Sequence, residues 1–435
     1  MRTFLTNLAC PSRGKVTPMK PSTVAPLPVE LIAMIMGFLQ HDSRALGKCS
    51  LVCKTWFSLA RHKLFRYIQV PYFAASGKNG FKPFIKFLQQ SPNVRPLIKN
   101  LTLKAYSMRR LSMVSHRWWL PRRRPAILDP CTLLTICSML PGLLTLKLDL
   151  LQWDEQWTTG KCWGRKAITP PRAGQVVSSL KELSISAMYA PHLDFLRYFS
   201  SIQHLRLSKV SGADVSSSPS TVSISAISME HILKMESWIS LFSRSGVEDS
   251  CQSLAISLLD LRSFIPSCPR SALAKWLDVG GMGSRLRHLT LQLDFVSAAA
   301  CSEITQIPWS SLGLDSCTSL QSLTFIISIV ESYAFGDTFW NWEAVLYVLE
   351  HIPASTINQI TLHFACSMAG YVSSEQSVFT QLQRLDWGRF ATTCTRFPLN
   401  ARTSLKVSCR GPNDVQSELR IQTLVDEKLR AHLPS

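Results

Sequence analysis

Residues 286–291, LRHLTL, carry the pattern that decides the fold of most of this 435-residue chain. Leu286 is followed, after two other residues, by the alternating pair Leu289 and Leu291. Alternate residues lie on one face of a strand, so the unit predicts a short strand with one buried face. A fainter instance is Leu405/Val407. The full instances elsewhere are Ile98/Leu101/Leu103, Leu143/Leu146/Leu148, Leu180/Leu183/Ile185, Ile202/Leu205/Leu207, Cys251/Leu254/Ile256, Leu320/Leu323/Phe325, Ile357/Ile360/Leu362 and Leu382/Leu385/Trp387.

Repeated units of this kind cannot bury their apolar faces alone, so neighbouring units must stack on one another. Helical patterns lie between them, and parallel strands need such crossovers. The clearest has Asp129 as N-cap and Pro130 at its first position, and it ends before Pro141. Further helices are predicted over 83–90, 229–242 and 342–351 and after Asp414. The predicted fold class is α/β, an irregular solenoid of parallel strands with crossover helices, and a doubly wound sheet is the alternative.

A different pattern, at residues 27–70, precedes the repeats. An apolar stripe at helical spacing predicts the first of three short helices, and Asp42 and Ser50 are expected to cap the second and third. The stripe consists of Leu31, Met34, Ile35, Phe38 and Leu39. Three helices of about ten residues cannot enclose a stable core alone. So many large apolar side chains therefore predict a partner surface as well as internal packing.

This stretch resembles the F-box family, in which Leu-Pro precedes helix one and Val-Cys-x-x-Trp belongs to helix three. The matching residues are Leu27, Pro28, Ile35, Leu39, Leu51, Val52, Cys53 and Trp56. The later repeats resemble degenerate leucine-rich repeats, and the whole chain looks like a fungal-type F-box protein that combines the two. The resemblance predicts an F-box at 25–70, the repeat domain at 71–410 and a C-terminal capping helix at 411–435. A flexible, basic, Pro-rich tail is predicted at 1–24.

The resemblance implies a function in protein recognition. The matching residues, together with Leu31, would bind a Skp-type adaptor, which joins the chain to the cullin and RING subunits of an SCF-type ubiquitin ligase. The repeats would hold a substrate protein for ubiquitination. The chain would then be a substrate receptor and not an enzyme, without a cofactor or metal of its own. An F-box scaffold that works outside any ligase is an alternative that the sequence leaves open.

Charge is distributed very unevenly along the chain. Residues 1–130 contain 22 Lys and Arg but 3 Asp and Glu, so the whole net charge of +19 arises in the first third. Two predicted loops combine cations with tryptophan, and both residue types are enriched in binding hot spots. We expect the two loops to meet and to bind an acidic or phosphorylated substrate segment; a solvated basic loop is the alternative. The candidate substrate-binding residues are Arg109, Arg110, Trp118, Trp119, Arg122, Arg123, Arg124, Trp153, Trp157 and Trp163.

Other classes of function find less support. A basic third with aromatic residues is typical of nucleic-acid-binding proteins, but zinc-knuckle, helix-turn-helix and RNP-like patterns are absent from the sequence. The GxSxG, HExxH, P-loop and GxGxxG motifs of enzymes are also absent. No apolar run has the ~18 residues of a membrane helix. The 13 cysteines include no CxxC pair, which predicts reduced thiols and an intracellular protein of the cytoplasm or nucleus.

Overall fold

The computed structural model divides the chain into two compact units, residues 1–64 and 65–435. Each unit has its own buried apolar cluster. The described residues are 27–39, 42–72, 80–105, 127–153, 179–187, 196, 199–210, 222–230, 232, 235–244, 246–257, 272–278, 281–293, 313–330, 337–367, 380–398, 402–410 and 414–432.

The first unit is built on three helices, α1 (Val29–Phe38), α2 (Ser43–Cys49) and α3 (Lys54–Arg66). Asp42 caps α2 as predicted, because its carboxylate accepts the backbone N–H groups of Arg44 and Ala45 at 3.0 and 2.9 Å. The prediction for Ser50 was wrong. Ser50 closes α2, its hydroxyl donates to the Gly47 carbonyl at 2.7 Å, and α3 begins only at Lys54.

The second unit contains an 11-stranded sheet in which every neighbouring pair of strands is parallel. Its order, β1-β2-β4-β6-β7-β8-β9-β10-β11-β12-β13, follows the chain, and β3 and β5 form a separate parallel pair. The strands are β1 (Tyr67–Tyr72), β2 (Asn100–Ala105), β3 (Ile127–Leu128), β4 (Thr145–Asp149), β5 (Gln152–Trp153), β6 (Leu180–Ser186), β7 (Ser201–Ser208), β8 (Ser223–Glu230), β9 (Ser253–Ser257), β10 (His288–Leu293), β11 (Ser322–Val330), β12 (Gln359–Ser367) and β13 (Arg402–Arg410).

The repeated apolar residues lie in register from strand to strand. Leu289 of β10 pairs with Leu254 of β9 on one side and with Leu323 of β11 on the other. Because a one-residue slip would turn every apolar side chain to the opposite face, this alignment fixes the pairing of the whole sheet. The row consists of Ile68, Leu101, Leu146, Leu183, Leu205, Ile227, Leu254, Leu289, Leu323 and Ile360.

The prediction of a strand at Leu382/Leu385/Trp387 was wrong. All three side chains are buried, but Trp387 begins a helix that Asp386 caps by accepting the Arg389 N–H at 2.8 Å. The last strand is instead β13, at the fainter Leu405/Val407 instance. The prediction lacks two strands of the large sheet, β1 and β8, although Phe65/Ile68/Val70 and Ile224/Ile227/Met229 have the same spacing, and it also lacks the short strands β3 and β5.

Helices connect the strands and cover one face of the sheet, as the helix 337–351 covers β11. The predicted helix at 229–242 begins later, because residues 223–230 form β8. No helix within the described residues is long and apolar enough to cross a membrane. The helices of the second unit are α4 (Lys82–Gln90), α5 (Pro130–Ser138), α6 (Met235–Arg244), α7 (Ala272–Asp278), α8 (Met282–Arg285), α9 (Asp337–His351), α10 (Trp387–Cys394) and α11 (Asp414–His432).

Candidate docking site

Helix α1 is apolar on almost every side, yet the first unit covers only part of it. Ile32 and Met36, four residues apart, are buried against Leu46 of α2 and Ala60 of α3. The opposite side bears Leu31, Met34, Ile35 and Phe38, all exposed. A helix that is apolar all round is normally buried on all sides. The exposed side of α1 therefore lacks the cover that its composition calls for.

Further apolar side chains of the first unit are exposed outside α1. Leu51 and Val52 lie between α2 and α3 and are 74% and 64% exposed. Phe57 on α3 is also exposed, with the Arg61 guanidinium 5.7 Å from its ring centroid. We name the set the N-terminal apolar surface. It consists of Leu27, Val29, Leu31, Met34, Ile35, Phe38, Leu51, Val52 and Phe57.

This concentration of exposed apolar residues is specific to the first unit. Among the described residues, the other exposed large apolar side chains are Tyr67, Leu144 and Leu419, which are far apart in the sequence. Singly exposed apolar residues are normal on any protein, whereas a group of them marks an interaction site. The N-terminal apolar surface is therefore the strongest candidate for a docking site.

The residues predicted to bind an adaptor fall into two groups. Leu39 and Trp56 pack against the internal core of the first unit, so both support its fold. The remaining predicted residues are exposed: Leu27, Pro28, Leu31, Ile35, Leu51, Val52 and Cys53. Val29, Met34, Phe38 and Phe57 were not among the predicted site residues. Met34 and Phe38 belong to the apolar stripe of α1, and its spacing could have indicated them. Phe57 could not be found in this way, because only the burial of Ala60 shows which side of α3 faces the core.

The charge near the N-terminal apolar surface is positive. Arg44, Lys48 and Lys54 are exposed, and the acidic residues of the described part of this unit are Glu30 and Asp42. A positive rim raises the rate of encounter with an acidic partner by long-range attraction. The surface is therefore suited to an apolar groove with acidic surroundings.

Most of the predicted substrate-binding residues lie outside the described residues. This applies to Arg109, Arg110, Trp118, Trp119, Arg122, Arg123, Arg124, Trp157 and Trp163. The backbone of Trp153 is described, and in the β3–β5 pair it lies opposite Leu128. The prediction that the two loops meet therefore concerns residues outside the described part of the chain.

The exposed face of the sheet carries a polar network on its first strands. Lys104 contacts Asp149 at 2.9 Å, and Lys147 contacts Glu182 at 3.4 Å. His204 Nε2 lies 2.7 Å from the Ser228 hydroxyl. Desolvation lowers the pKa of His204, with Glu182 opposing and Arg206 reinforcing the shift. The neutral form of the His204 imidazole is therefore favoured in the folded chain.

Four cysteines of the second unit are poor candidates for a nucleophile or a metal ligand. Burial raises the pKa of the Cys137, Cys251, Cys317 and Cys394 thiols to about 12. A thiol acts as nucleophile or metal ligand through its thiolate, which such a pKa suppresses at neutral pH. No group of three or more His, Cys, Asp or Glu residues in the described part of the chain is placed to hold a metal ion.

The comparison with known families agrees with the position of the docking site. Residues 24–69, about a tenth of the chain, match the family described as F-box-like. No curated protein matches the chain. The matched span includes all three helices of the first unit and the whole N-terminal apolar surface. The chain therefore contains an F-box-like domain, formed by the helices that expose this surface.

Proposed function

We propose that the chain is a substrate-recognition subunit of an SCF-type ubiquitin ligase. The F-box-like domain docks on a Skp-type adaptor, which brings the cullin and RING subunits, and the second unit binds the substrate protein. The chain itself performs no catalysis in this proposal. The observation that carries it is the N-terminal apolar surface, which lies within the one region that matches an F-box-like domain.

Energetics support docking through this surface. Burying a Leu, Ile, Met or Phe side chain stabilises an interface by about 1.5–3 kcal/mol. Leu31, Met34, Ile35 and Phe38 share one side of α1, which is the arrangement of a helix that inserts its apolar side into a groove. Such side chains help to offset the entropy cost of association, and a few well-packed ones can dominate the affinity of an interface.

The second unit supports the substrate-binding half of the proposal. Its parallel strands follow chain order and align the repeated apolar residues, as stacked repeats of a solenoid do. Solenoids present an extended surface for binding other proteins. We therefore propose that the second unit is a degenerate leucine-rich-repeat solenoid that holds the substrate.

The test is a binding measurement between the purified full chain and a purified Skp-type adaptor. The variant Leu31→Ser, Phe38→Ser, Leu51→Ser changes only exposed residues, so its fold should persist while its affinity falls at least about 100-fold. The matched control is Leu144→Ser, Leu419→Ser, which changes exposed leucines of the second unit. Trp56 is unsuitable for this test because it packs against the internal core.

Three results separate the possibilities. Loss of adaptor binding in the triple variant alone supports docking by the F-box-like domain. Failure of the wild-type chain to bind any Skp-type adaptor would refute the proposal. Binding of the adaptor without recruitment of a cullin would favour the scaffold alternative over a ligase subunit.

A further inference from the structure

The exposed face of the sheet is divided into a charged part and a part whose only acidic or basic side chains, among the described strand residues, are those of His288 and His363. Strands β2 to β8 contain four cations and three anions, several of them in contact across strands. The next four strands, β9 to β12, contain no Asp, Glu, Lys or Arg in their described residues. The sequence of β13 again includes Arg402, Lys406 and Arg410.

The solvent side of β9 to β12 bears mostly hydroxyl and amide groups, together with the imidazoles of His288 and His363 and the Ile326 side chain. Thr290, Thr324 and Thr361 lie opposite one another on β10, β11 and β12. Gln292 and Ser322 flank this threonine row on the same face. All five are partly exposed. Four strands at the usual spacing of about 4.8 Å make a strip roughly 15 Å wide.

A strip without Asp, Glu, Lys or Arg, bordered by strands that contain them, has the composition of an interface centre. Charged residues are depleted at the centre of protein interfaces and remain at the rim, because burying an unpaired charge is strongly unfavourable. A chain in which 17% of the residues are charged would otherwise be expected to place some of them on four exposed strand surfaces. The composition of these strands favours a binding surface from which charged side chains are excluded.

We propose that the face of β9 to β12 binds an uncharged polypeptide segment of the substrate protein. This inference rests on the proposed function and identifies the chemistry of the substrate. The threonine row provides hydroxyl groups that donate to and accept from backbone and amide groups of an extended segment.

Other partners fit this strip less well. A nucleic acid or a phosphorylated segment requires Lys or Arg, and the strip has neither. A membrane surface requires cations or a continuous apolar face, whereas the threonine row is polar. An uncharged, polar polypeptide is the partner that this chemistry matches.

The test is a selection of random peptides on the full chain, held through a C-terminal tag so that the result does not depend on the adaptor. We expect the enriched peptides to have a net charge near zero. Their affinity should change less than about twofold between 50 and 500 mM NaCl, because salt screens interactions between charges. In Thr324→Lys the affinity should fall at least about tenfold, since binding would bury an unpaired ammonium group.

The matched control is Ser184→Lys, which makes a comparable change on the charged part of the same face. Circular dichroism verifies the fold of both variants, and Thr361→Lys replaces Thr324→Lys if the latter unfolds. The inference is overturned if no peptide is enriched or if the enriched peptides are acidic or basic. It is also overturned if Thr324→Lys and the control Ser184→Lys bind the enriched peptides equally well. If the strip instead binds a second copy of the chain, the chain forms a dimer that Thr324→Lys dissociates, and this result would also overturn the inference.

Adaptor binding is measured separately. If the adaptor binds but no peptide does, the inference fails and the proposed docking function stands.

Discussion

Two side chains of helix α1, only two positions apart, have opposite surroundings. Met36 is fully buried in the core of the first unit, whereas Phe38 is 83% exposed. Stability and binding should therefore respond differently when each is truncated to alanine. This separation allows the fold of the F-box-like domain and its docking function to be tested independently.

We predict that Phe38→Ala weakens adaptor binding at least about tenfold while it changes the free energy of unfolding by less than about 0.5 kcal/mol. Met36→Ala should instead destabilise the first unit by about 2–5 kcal/mol, because it leaves a cavity. Adaptor titration and urea denaturation of both variants check this. Equal loss of stability in the two variants would contradict the assignment of Phe38 to the surface.

His204 should make the second unit less stable in weak acid. Its pKa is lowered in the folded chain from an ordinary value of 6.5, so below that pH the unfolded chain takes up the proton more readily. The contribution of neutral His204 to the free energy of unfolding is fully present above pH 6.5, and it declines as the pH falls toward the folded-state pKa. His204→Gln should reduce the difference between urea midpoints measured at about pH 7.5 and 5.5. An unchanged difference would contradict the prediction.

At the scale of elements, helix α5 depends on its capping residue. The Asp129 carboxylate accepts the Thr132 N–H at 2.8 Å and the Thr132 hydroxyl at 2.6 Å. We expect Asp129→Ala to cost about 1 kcal/mol of stability, and Asp129→Asn to retain most of it because it keeps an acceptor oxygen. Urea denaturation compares the two. An equal loss of stability in the two variants would contradict this, because it would show that the charge of Asp129 matters and not its acceptor oxygen.

Helices α9 and α10 are joined by an ion-pair cluster and by aromatic packing, and we expect the packing to matter more. Arg389 lies 2.9 Å from Glu343 and 2.8 Å from Glu350, but its side chain is 40% exposed. Trp342 is fully buried, with its ring centroid 4.8 Å from that of Trp387. Arg389→Met should cost less than about 1 kcal/mol, and Trp342→Ala about 3–5 kcal/mol. Thermal denaturation would contradict this if the two costs were similar.

The sequence predicted most of the strands, and the reason is visible in the register. When the second apolar residue follows the first by three positions and the third follows by two more, all three side chains lie inside. This spacing alone predicted β2, β4, β6, β7 and β9 to β12. The same spacing misled at Leu382/Leu385/Trp387, where Asp386 caps a helix and buries Trp387 in another way. It was overlooked at Ile224/Ile227/Met229, in a serine-rich stretch.

The docking site was predicted in part. Family resemblance identified the stretch and seven of its exposed residues, but apolar spacing alone could not tell which side of α1 faces inward. The apolar stripe predicted for α1 turned out to be mostly its exposed side, with Ile32 and Met36 on the buried side. A helix that is apolar all round gives no signal of its orientation, and only its packing against α2 and α3 decides it.

At the scale of the whole molecule, the second unit should fold without the first. Its buried cluster draws only on residues from 65 onward. We predict that the full chain melts in two transitions, one for each unit, and that a chain lacking residues 1–64 keeps the circular dichroism spectrum of a folded α/β protein and melts within about 5 °C of the transition of the second unit. It should also lose all binding to the adaptor. An unfolded truncated chain would contradict the separation of the two cores.

The strict strand order has a consequence for synthesis on the ribosome. Each strand of the large sheet pairs with the strand before it, apart from the short β3–β5 pair, so its partner has always emerged earlier. At about 5–20 residues per second, each new strand can add to an edge that is already formed. At every moment of translation that edge is open and can template a wrong strand. Helix α11 follows β13 in the chain and packs on it, so the edge at β13 gains its cover only after that helix has emerged.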